Sequence, residues 1–139
     1  MNILLVEDNE ADQRAIKEAF VATCHDAALH VVEDGDKALQ FVTGQDEYAE
    51  SPPPDLILLD LNLPGMHGHD VLREVKANPE TKKIPVIIFT SSPFQGDICD
   101  AYDLNANCYL NKPMRYGDLL KLVKLICEFW IKEVRYCDV

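Results

Sequence analysis

The sequence predicts an α/β fold: a five-stranded parallel sheet, doubly wound, with helices on both of its faces. Five short apolar runs lack the alternation of apolar and polar residues that half-exposed strands show, as expected for strands buried on both faces. Stretches with helical spacing of apolar residues separate these runs, and strands that alternate with helices build parallel sheets. A chain of 139 residues, 47% hydrophobic and 27% charged, suits one packed domain.

The elements follow one another in a regular order. The predicted strands cover residues 3–6, 29–32, 56–59, 86–89 and 108–110. Helical spacing follows Asp12, Gly35, Gly68 and the turn at 91–93, and a long final helix is predicted over 118–134. The proline-rich connection 45–55 is a loop and not a linker, because too little chain precedes it to bury a core. We therefore expect a single domain over residues 1–139 with an extended C-terminal helix.

The charge of the chain argues against two classes of partner. With 13 Lys+Arg against 24 Asp+Glu the formal net charge is −11. A protein this acidic lacks the broad positive surface that binds phosphate backbones or anionic lipid. We expect no direct binding to nucleic acid and no association with a membrane.

The termini and the cysteines indicate the compartment. The first residues lack the basic region and the long apolar core typical of a signal peptide, and no apolar run approaches the roughly 20 residues that span a bilayer. The cysteines are odd in number and include no C-x-x-C pair; they are Cys24, Cys99, Cys108, Cys127 and Cys137. The sequence therefore predicts reduced thiols in a cytoplasmic protein and gives little support to a zinc site.

Polar residues of particular types follow the predicted strands. Glu7 and Asp8 come after the first strand and Asp60 after the third, while Thr90 ends the fourth and Lys112 follows the fifth. In a doubly wound sheet these carboxyl ends meet at one edge, where ligands bind. Three carboxylates gathered there repel one another unless a hard cation such as Mg²⁺ neutralises them. A hydroxyl and an ammonium beside a metal-bound carboxylate suit a phosphoryl group.

Four stretches carry a family resemblance. They are residues 3–9, 55–65, 84–92 and 109–113, and together they run across essentially the whole chain. On these motifs the sequence resembles the receiver domain of two-component response regulators. The resemblance implies a flavodoxin-like (βα)5 fold and a phosphoprotein that acts in phosphorelay signalling.

The resemblance also implies roles for individual residues. Asp60 would be the phosphoacceptor, taking a phosphoryl group from the phosphohistidine of a histidine kinase. Asp8 would bind Mg²⁺ directly, Glu7 would assist through water, and the backbone carbonyl of Asn62 would complete the protein ligands beside Asp60. Lys112 would contact the phosphoryl oxygens. The domain would catalyse only its own phosphorylation and dephosphorylation, and we do not expect an enzyme with an external substrate.

Three further residues receive roles from the same resemblance. Thr90 would move toward the phosphoryl group, and Tyr109 would occupy the space that Thr90 leaves. Pro113 stands where receivers usually keep a cis peptide bond, which would aim Lys112 into the site.

The final helix carries more apolar surface than one sheet face needs. A second patch, formed by Leu122, Leu125 and Phe129, lies beside its core-facing stripe. An interface between two copies would cover this patch and use the end of the helix that contains Trp130. The alternative is that this patch packs under a neighbouring helix or loop. A finer resemblance, on 128–130, on motifs within 97–109 and on the long loop before Pro54, is to the single-domain response regulators that partner phytochrome histidine kinases. It implies a homodimer, and the end of the chain at Val139 led us to expect a stand-alone protein without an output domain.

Two other functions fit parts of the pattern. A Mg²⁺-dependent aspartyl phosphohydrolase would use similar parts, but its D-x-D signature is broken here by Asn62. A flavin-binding domain would need a phosphate-binding loop after the first strand, where Glu7 and Asp8 would repel a phosphate. We interpret His67 and His69 as exposed loop residues that the aspartate chemistry does not need.

Overall fold

The computed structural model describes residues 1–137, and Asp138 and Val139, the last two residues of the expected domain, lie outside it. The described strands are β1 Asn2–Val6, β2 Ala28–Val32, β3 Leu56–Leu59, β4 Val86–Thr90 and β5 Cys108–Asn111. The α-helices are α1 Glu10–Thr23, α2 Gly35–Thr43, α3 Gly68–Ala77, α4 Gln95–Asp103 and α5 Tyr116–Ile126. Two short helical turns, Asp46–Tyr48 and Cys127–Ile131, complete the helical structure of residues 1–137.

All neighbouring strands pair in parallel, in the order β2-β1-β3-β4-β5. The predicted fold class is confirmed. β2 lies on one side of β1, whereas β3, β4 and β5 lie on the other side. The direction of winding therefore reverses between β1 and β3, and the crevice for a ligand opens at the carboxyl ends of these two strands.

Both faces of the sheet are covered, which explains the continuous apolar runs. Along β1, Leu4 and Val6 face the core beneath α2, α3 and α4, whereas Ile3 and Leu5 face the core beneath α1 and α5. All four side chains are at most 1% exposed. Close packing on both faces thus holds β1, and with it the residues that follow β1, in a fixed position.

The C-terminal helix differs from the prediction. Regular α-helix ends at Ile126, and the chain continues through a wider π-helical turn over Cys127–Ile131. The Lys132 amide donates to the Cys127 carbonyl, five residues earlier, at 3.2 Å. An i to i+5 turn rotates the following residues away from the positions of a 100° helical wheel. The prediction of one helix over 118–134 is therefore wrong after residue 126.

Two of the five cysteines are joined. Cys24, which ends α1, forms a disulfide with Cys127, with their Cα atoms 5.9 Å apart. The prediction that all five are reduced is wrong for this pair, because 103 residues of sequence separate two positions that the packing of α1 on α5 brings together. Cys99 and Cys137 are free and exposed, and Cys108 is free and half-buried.

Among residues 1–137, no helix has both the length and the apolar character needed to cross a membrane.

Candidate functional site

Backbone pairing beyond the strand ends fixes the two buried acids of the site. The Glu7 amide donates to Val32 at 3.0 Å, and the Asp60 amide donates to Val6 at 3.1 Å. Each bond continues a strand ladder by one residue, so both acids leave the same edge of the sheet. Glu7 is 1% and Asp60 4% exposed.

A third acid completes the group. Asp8, which is exposed, lies beside the two buried carboxylates, and one oxygen from each of the three falls within 4.8 Å of the others. Carboxylate oxygens at such separations can share one hard divalent cation. The donor set therefore fits the metal that the sequence predicted, with one side open to solvent.

Lys112 supplies the positive charge of the site. Its ammonium donates to Asp60 Oδ2 at 2.7 Å, to Glu7 Oε2 at 2.5 Å and to Asp12 Oδ2 at 3.0 Å. The backbone amide of Lys112 donates to the Thr90 carbonyl at 2.8 Å, which extends the pairing of β4 with β5 up to the site.

The expected cis peptide bond at Pro113 is absent. No peptide bond within the described residues 1–137 is cis, so that prediction is wrong. The reason lies in the reach of Lys112: with its amide bonded to Thr90, its four-carbon side chain already arrives at the carboxylates from a trans bond. An X–Pro bond favours trans slightly unless a tertiary contact requires cis.

The acids and Lys112 shift one another's protonation. Burial raises the pKa of Glu7 to about 7, and the neighbouring Asp60 adds to the effect. Burial also acts to raise the pKa of Asp60, but hydrogen bonds with Glu7, Lys112 and then Thr90 outweigh it and hold this pKa below its usual value. Burial acts to lower the pKa of Lys112, and its bonds to Asp60 and Glu7 outweigh this and raise it. Asp60 is thus ionised at neutral pH and lies beside the charged Lys112 ammonium.

These features, a buried aspartate after β3, an acidic pair after β1 and a lysine after β5, match a known family along most of the chain. Residues 3–124 match the model of the response regulator receiver domain. This chain belongs to the response regulator receiver domain family.

Receiver domains of known structure resemble it closely. The chain is 46% identical over 132 residues to the response regulator Rcp1 of Synechocystis sp., covering 95% of this chain and 90% of the relative. A crystal structure of the Mn²⁺-bound form of Rcp1 superposes with a TM-score of 0.91 at 44% identity, covering 99% of both chains. The phosphorylated cyanobacterial phytochrome response regulator RcpA superposes with a TM-score of 0.93 at 42% identity, covering 99% of this chain and 98% of that one.

The pair of residues for which the sequence predicts a switch in this receiver lies on β4 and β5. Thr90 is fully buried, and its hydroxyl oxygen accepts from the Ser92 amide at 3.4 Å. Tyr109 is half-buried, packs against the core and donates from its hydroxyl to the Ser92 carbonyl at 2.9 Å. The two side chains are thus linked through the loop between β4 and α4, which begins directly after Thr90.

Sequence reasoning missed three residues that shape the receiver site. Asp12, in the first turn of α1, is the third acid on Lys112. The Asn111 carboxamide donates to the Ser92 carbonyl at 2.7 Å and to the Thr90 carbonyl at 3.2 Å. Gly68 begins α3 against the backbone of Asp60, where its amide donates to Leu61 at 3.0 Å. Only Gly68 had a visible signal in the sequence, because a second glycine, Gly65, lies three residues before it and the two enclose His67, which caps α3.

The remaining predicted residues lie at or beyond the rim of the receiver site. Asn62 is exposed, and its amide donates to Asp60 Oδ1 at 3.1 Å. His67 is exposed and caps α3 by accepting from the His69 amide at 3.2 Å. His69 is half-buried and pairs with the Asp97 carbonyl at 3.2 Å, so one of the two histidines is less exposed than expected.

The apolar patch on the C-terminal segment is divided between surface and core. Leu125 is 60% and Phe129 57% exposed. Leu122 and Trp130 are half-buried and pack against the core beneath α1 and α5.

Proposed function

We propose that this receiver domain accepts a phosphoryl group onto Asp60 from the phosphohistidine of a sensor histidine kinase, in a Mg²⁺-dependent reaction. One observation carries the proposal. The Asp60 carboxylate is buried, ionised and 2.7 Å from the Lys112 ammonium, at the centre of an acidic cluster. An aspartate in such surroundings is a nucleophile whose charge is already balanced.

The proposed metal ligands are the carboxylates of Asp8 and Asp60 and the backbone carbonyl of Asn62, with Glu7 acting through water. These are hard oxygen donors in a partly open site, which Mg²⁺ accepts because it keeps several of its waters. When bound, the metal would neutralise charge on the transferring phosphoryl oxygens.

The residues of the chain would carry out the transfer itself. An oxygen of Asp60 attacks phosphorus as the bond from phosphorus to the kinase histidine nitrogen breaks. The histidine, whose other ring nitrogen is protonated, keeps the electron pair of that bond and leaves as neutral imidazole. Lys112 holds one phosphoryl oxygen through its ammonium, and the Thr90 hydroxyl donates to another. Positioning and charge account for the rate, because phosphoryl transfer needs little covalent help from a protein.

We propose that Thr90 and Tyr109 convert phosphorylation into a change of surface. The phosphoryl group holds the Thr90 hydroxyl at the site, and the ring of Tyr109 fills the space beside it. The Tyr109 bond to Ser92 then fixes the loop before α4. A charge change at Asp60 would thereby reach the surface formed by α4, β5 and α5.

The proposed kinase is of the phytochrome type. Support comes from the similarity to RcpA, whose structure is named as that of a phytochrome response regulator. The contact surface would be the outer side of α1 within residues 11–18, where Arg14, Lys17 and Glu18 are exposed. Because such a kinase draws its phosphoryl group from ATP, we place the receiver in the cytoplasm.

We further propose a homodimer that covers the exposed side chains of Leu125 and Phe129, with Leu122 and Trp130 packed behind them. Two large apolar side chains more than half exposed on one segment support an interface between copies. The protein would bind neither nucleic acid nor membrane, in keeping with its net charge of −11.

The proposal distinguishes a phosphoacceptor from an aspartyl phosphohydrolase. The hydrolase would need an acid two residues after its nucleophile, to protonate a leaving group. Asn62 occupies that position, and its carboxamide is not an acid that can protonate a leaving group. We therefore propose that the domain turns over only its own acyl phosphate.

Intact mass tests the function directly. The protein is incubated with Mg²⁺ and acetyl phosphate, and we expect an adduct of about 80 Da on the wild type. Asp60→Asn should abolish the adduct, and Asp70→Asn, a surface aspartate of α3, should retain it. Rapid turnover of the donor without any adduct would instead indicate a phosphohydrolase, and an adduct on Asp60→Asn would refute the assignment of Asp60.

A further inference from the structure

We propose that Cys24 and Cys127 form a reversible redox modification site, a thiol pair whose oxidation clasps the end of α1 to the turn after α5. The inference concerns a different part of the molecule from the phosphorylation site, and only its choice of a reversible over a permanent bond rests on the proposed function, through the compartment.

The backbone holds the two cysteines in place for the bond. Cys24 caps the end of α1, and its amide donates to the Phe20 carbonyl at 2.7 Å. Cys127 begins the π-helical turn that continues α5. Their Cα atoms lie 5.9 Å apart, within the range that a disulfide bridges without backbone movement.

The surroundings of the pair do not require the bond. Cys24 is 4% and Cys127 2% exposed, and both belong to the core that α1 and α5 cover. A free cysteine packs as a small apolar residue, so the same core accommodates two thiols. The protein can therefore fold in either redox state, as a reversible site requires.

A groove on the surface reaches Cys24, one member of the pair. It has a volume of about 280 Å³ and is lined by Cys24, Phe20 and Lys17 among others. A small thiol or disulfide reagent fits a space of this size.

The compartment points to a reversible rather than a permanent bond. A phosphohistidine kinase and its receiver work where thiols are kept reduced, and disulfides in such a compartment are usually transient and redox-sensing. A low-molecular-weight disulfide, such as oxidised glutathione, would serve as oxidant.

The exchange balances with this oxidant. The Cys24 thiolate attacks one sulfur of the small disulfide, forming a mixed disulfide and releasing one small thiolate. The Cys127 thiolate then attacks the Cys24 sulfur, forming the internal disulfide and expelling the second small thiolate. Two electrons pass from the protein to the small disulfide, and the two protons of the cysteines end on the released thiols.

The disulfide affects how firmly the exposed side chain of Phe129 is held in position. This exposed side chain lies on the same π-helical turn as Cys127, two residues along. Oxidation ties that turn to α1, and reduction leaves it held by packing alone. We expect amide hydrogen exchange in residues 127–134 to quicken at least tenfold on reduction, with no change in α3.

A redox titration of the wild-type protein tests the proposal. The protein is equilibrated in glutathione buffers from fully oxidised to fully reduced, quenched with a thiol-alkylating reagent and weighed. We expect three alkylated thiols at the oxidised end, five at the reduced end, and a single transition between them. Five thiols throughout would show that the bond does not form, and three throughout would show a permanent bond; either result overturns the proposal.

Cysteine variants identify the pair. A variant with Cys99, Cys108 and Cys137 all changed to serine should keep the transition, going from no alkylated thiols to two. Cys24→Ser and Cys127→Ser should each lose it and show four thiols in every buffer. If either variant fails to fold, peptide mapping of the oxidised wild type decides the same question, since a disulfide between any other two cysteines contradicts the proposal.

Discussion

At the residue scale, Lys112 is the side chain on which the receiver site depends most. Its ammonium contacts Asp60, Glu7 and Asp12, which come from three different elements. The sequence predicted Lys112 and the first two acids because each follows a strand directly. Asp12 escaped notice because an acid in the first turn of a helix is usually a stabilising partner of the helix dipole and nothing more.

Replacing Lys112 should slow phosphorylation far more than it alters the fold. In Lys112→Met the phosphoryl oxygens lose a charged donor, so we expect the rate of adduct formation with acetyl phosphate to fall about 100-fold. Mass spectrometry at timed intervals measures this rate, with circular dichroism to confirm folding. Lys124→Met, at an exposed position of α5, is the matched control, and an equal loss in both variants would refute the role of Lys112.

Glu7 should make stability depend on pH when no metal is bound. Its pKa is about 7 in the folded protein against an ordinary value of 4.5, so between these values the folded state holds a proton that the unfolded state releases. The contribution of Glu7 to the free energy of unfolding is therefore fully present below about pH 4.5 and is lost as the pH rises through about 7. We expect the Tm in EDTA to fall across this window in the wild type.

Glu7→Gln is the control for this dependence. Glutamine keeps the shape and cannot titrate, so the fall in Tm between pH 5 and 7 should be smaller in the variant. An identical fall in both proteins would show that Glu7 does not carry the effect. Mg²⁺ should restore stability most at the higher pH, where Glu7 is ionised.

At the scale of elements, the start of α3 is where the helix meets the proposed phosphorylation site. A Cβ on Gly68 would lie 2.6 Å from the Cα of Leu61 and closer still to the carbonyl oxygen of Asp60. Both are backbone atoms that follow a buried strand and cannot move aside. The absence of a side chain at Gly68 therefore sets how closely α3 approaches Asp60.

Gly68→Ala should destabilise the protein by about 1–3 kcal/mol, the usual effect of forcing a methyl group into a packed site. Chemical denaturation measures the difference. Gly117→Ala is the matched control, because Gly117 lies in the first turn of α5 and a Cβ there would meet no atom within 4 Å. We expect that control to be neutral or slightly stabilised, and a loss of stability equal to that of Gly68→Ala would contradict the packing argument.

The C-terminal segment shows what a helical pattern can and cannot predict. Apolar spacing over 118–134 placed α5 correctly up to Ile126, since its buried residues Leu119, Val123 and Ile126 follow helical spacing. The π-helical turn after it has no such signature in the sequence, because the same apolar residues are compatible with an α-helical and with a π-helical turn. Trp130 packs inward, on the core-facing stripe where the helical wheel placed it, although we also expected it to take part in an interface.

At the scale of the whole molecule, the fold could be predicted because both faces of the sheet are covered. Strands buried on two sides must be apolar throughout, and that pattern is visible without an alignment. The disulfide could not be predicted, since pairing of Cys24 with Cys127 depends on how α1 lies against α5. The network of Tyr109 and Asn111 on the Ser92 carbonyl was hidden for a similar reason: a backbone acceptor leaves no mark on a sequence.

The proposed dimer can be tested at this scale by Phe129→Asp. A charge on a side chain that is 57% exposed costs a monomer little, but it would be buried unpaired in the interface. We expect the dissociation constant from sedimentation to rise at least tenfold. Phe94→Asp, another exposed aromatic position, should leave it unchanged, and a wild-type protein that is monomeric at micromolar concentration would refute the dimer.

Because all five strands are parallel, the candidate site lies at their carboxyl ends, which we call the reactive edge of the sheet. Their amino ends form the opposite, inert edge. The connection between α2 and β3, with its three consecutive prolines at 52–54, belongs to the inert edge, since it leads into the amino end of β3. Glu50 and Pro52 are exposed there. A fluorophore or an affinity tag inserted between them would stand across the sheet from Asp60, which makes this loop the place to attach a reporter of phosphorylation that does not interfere with it.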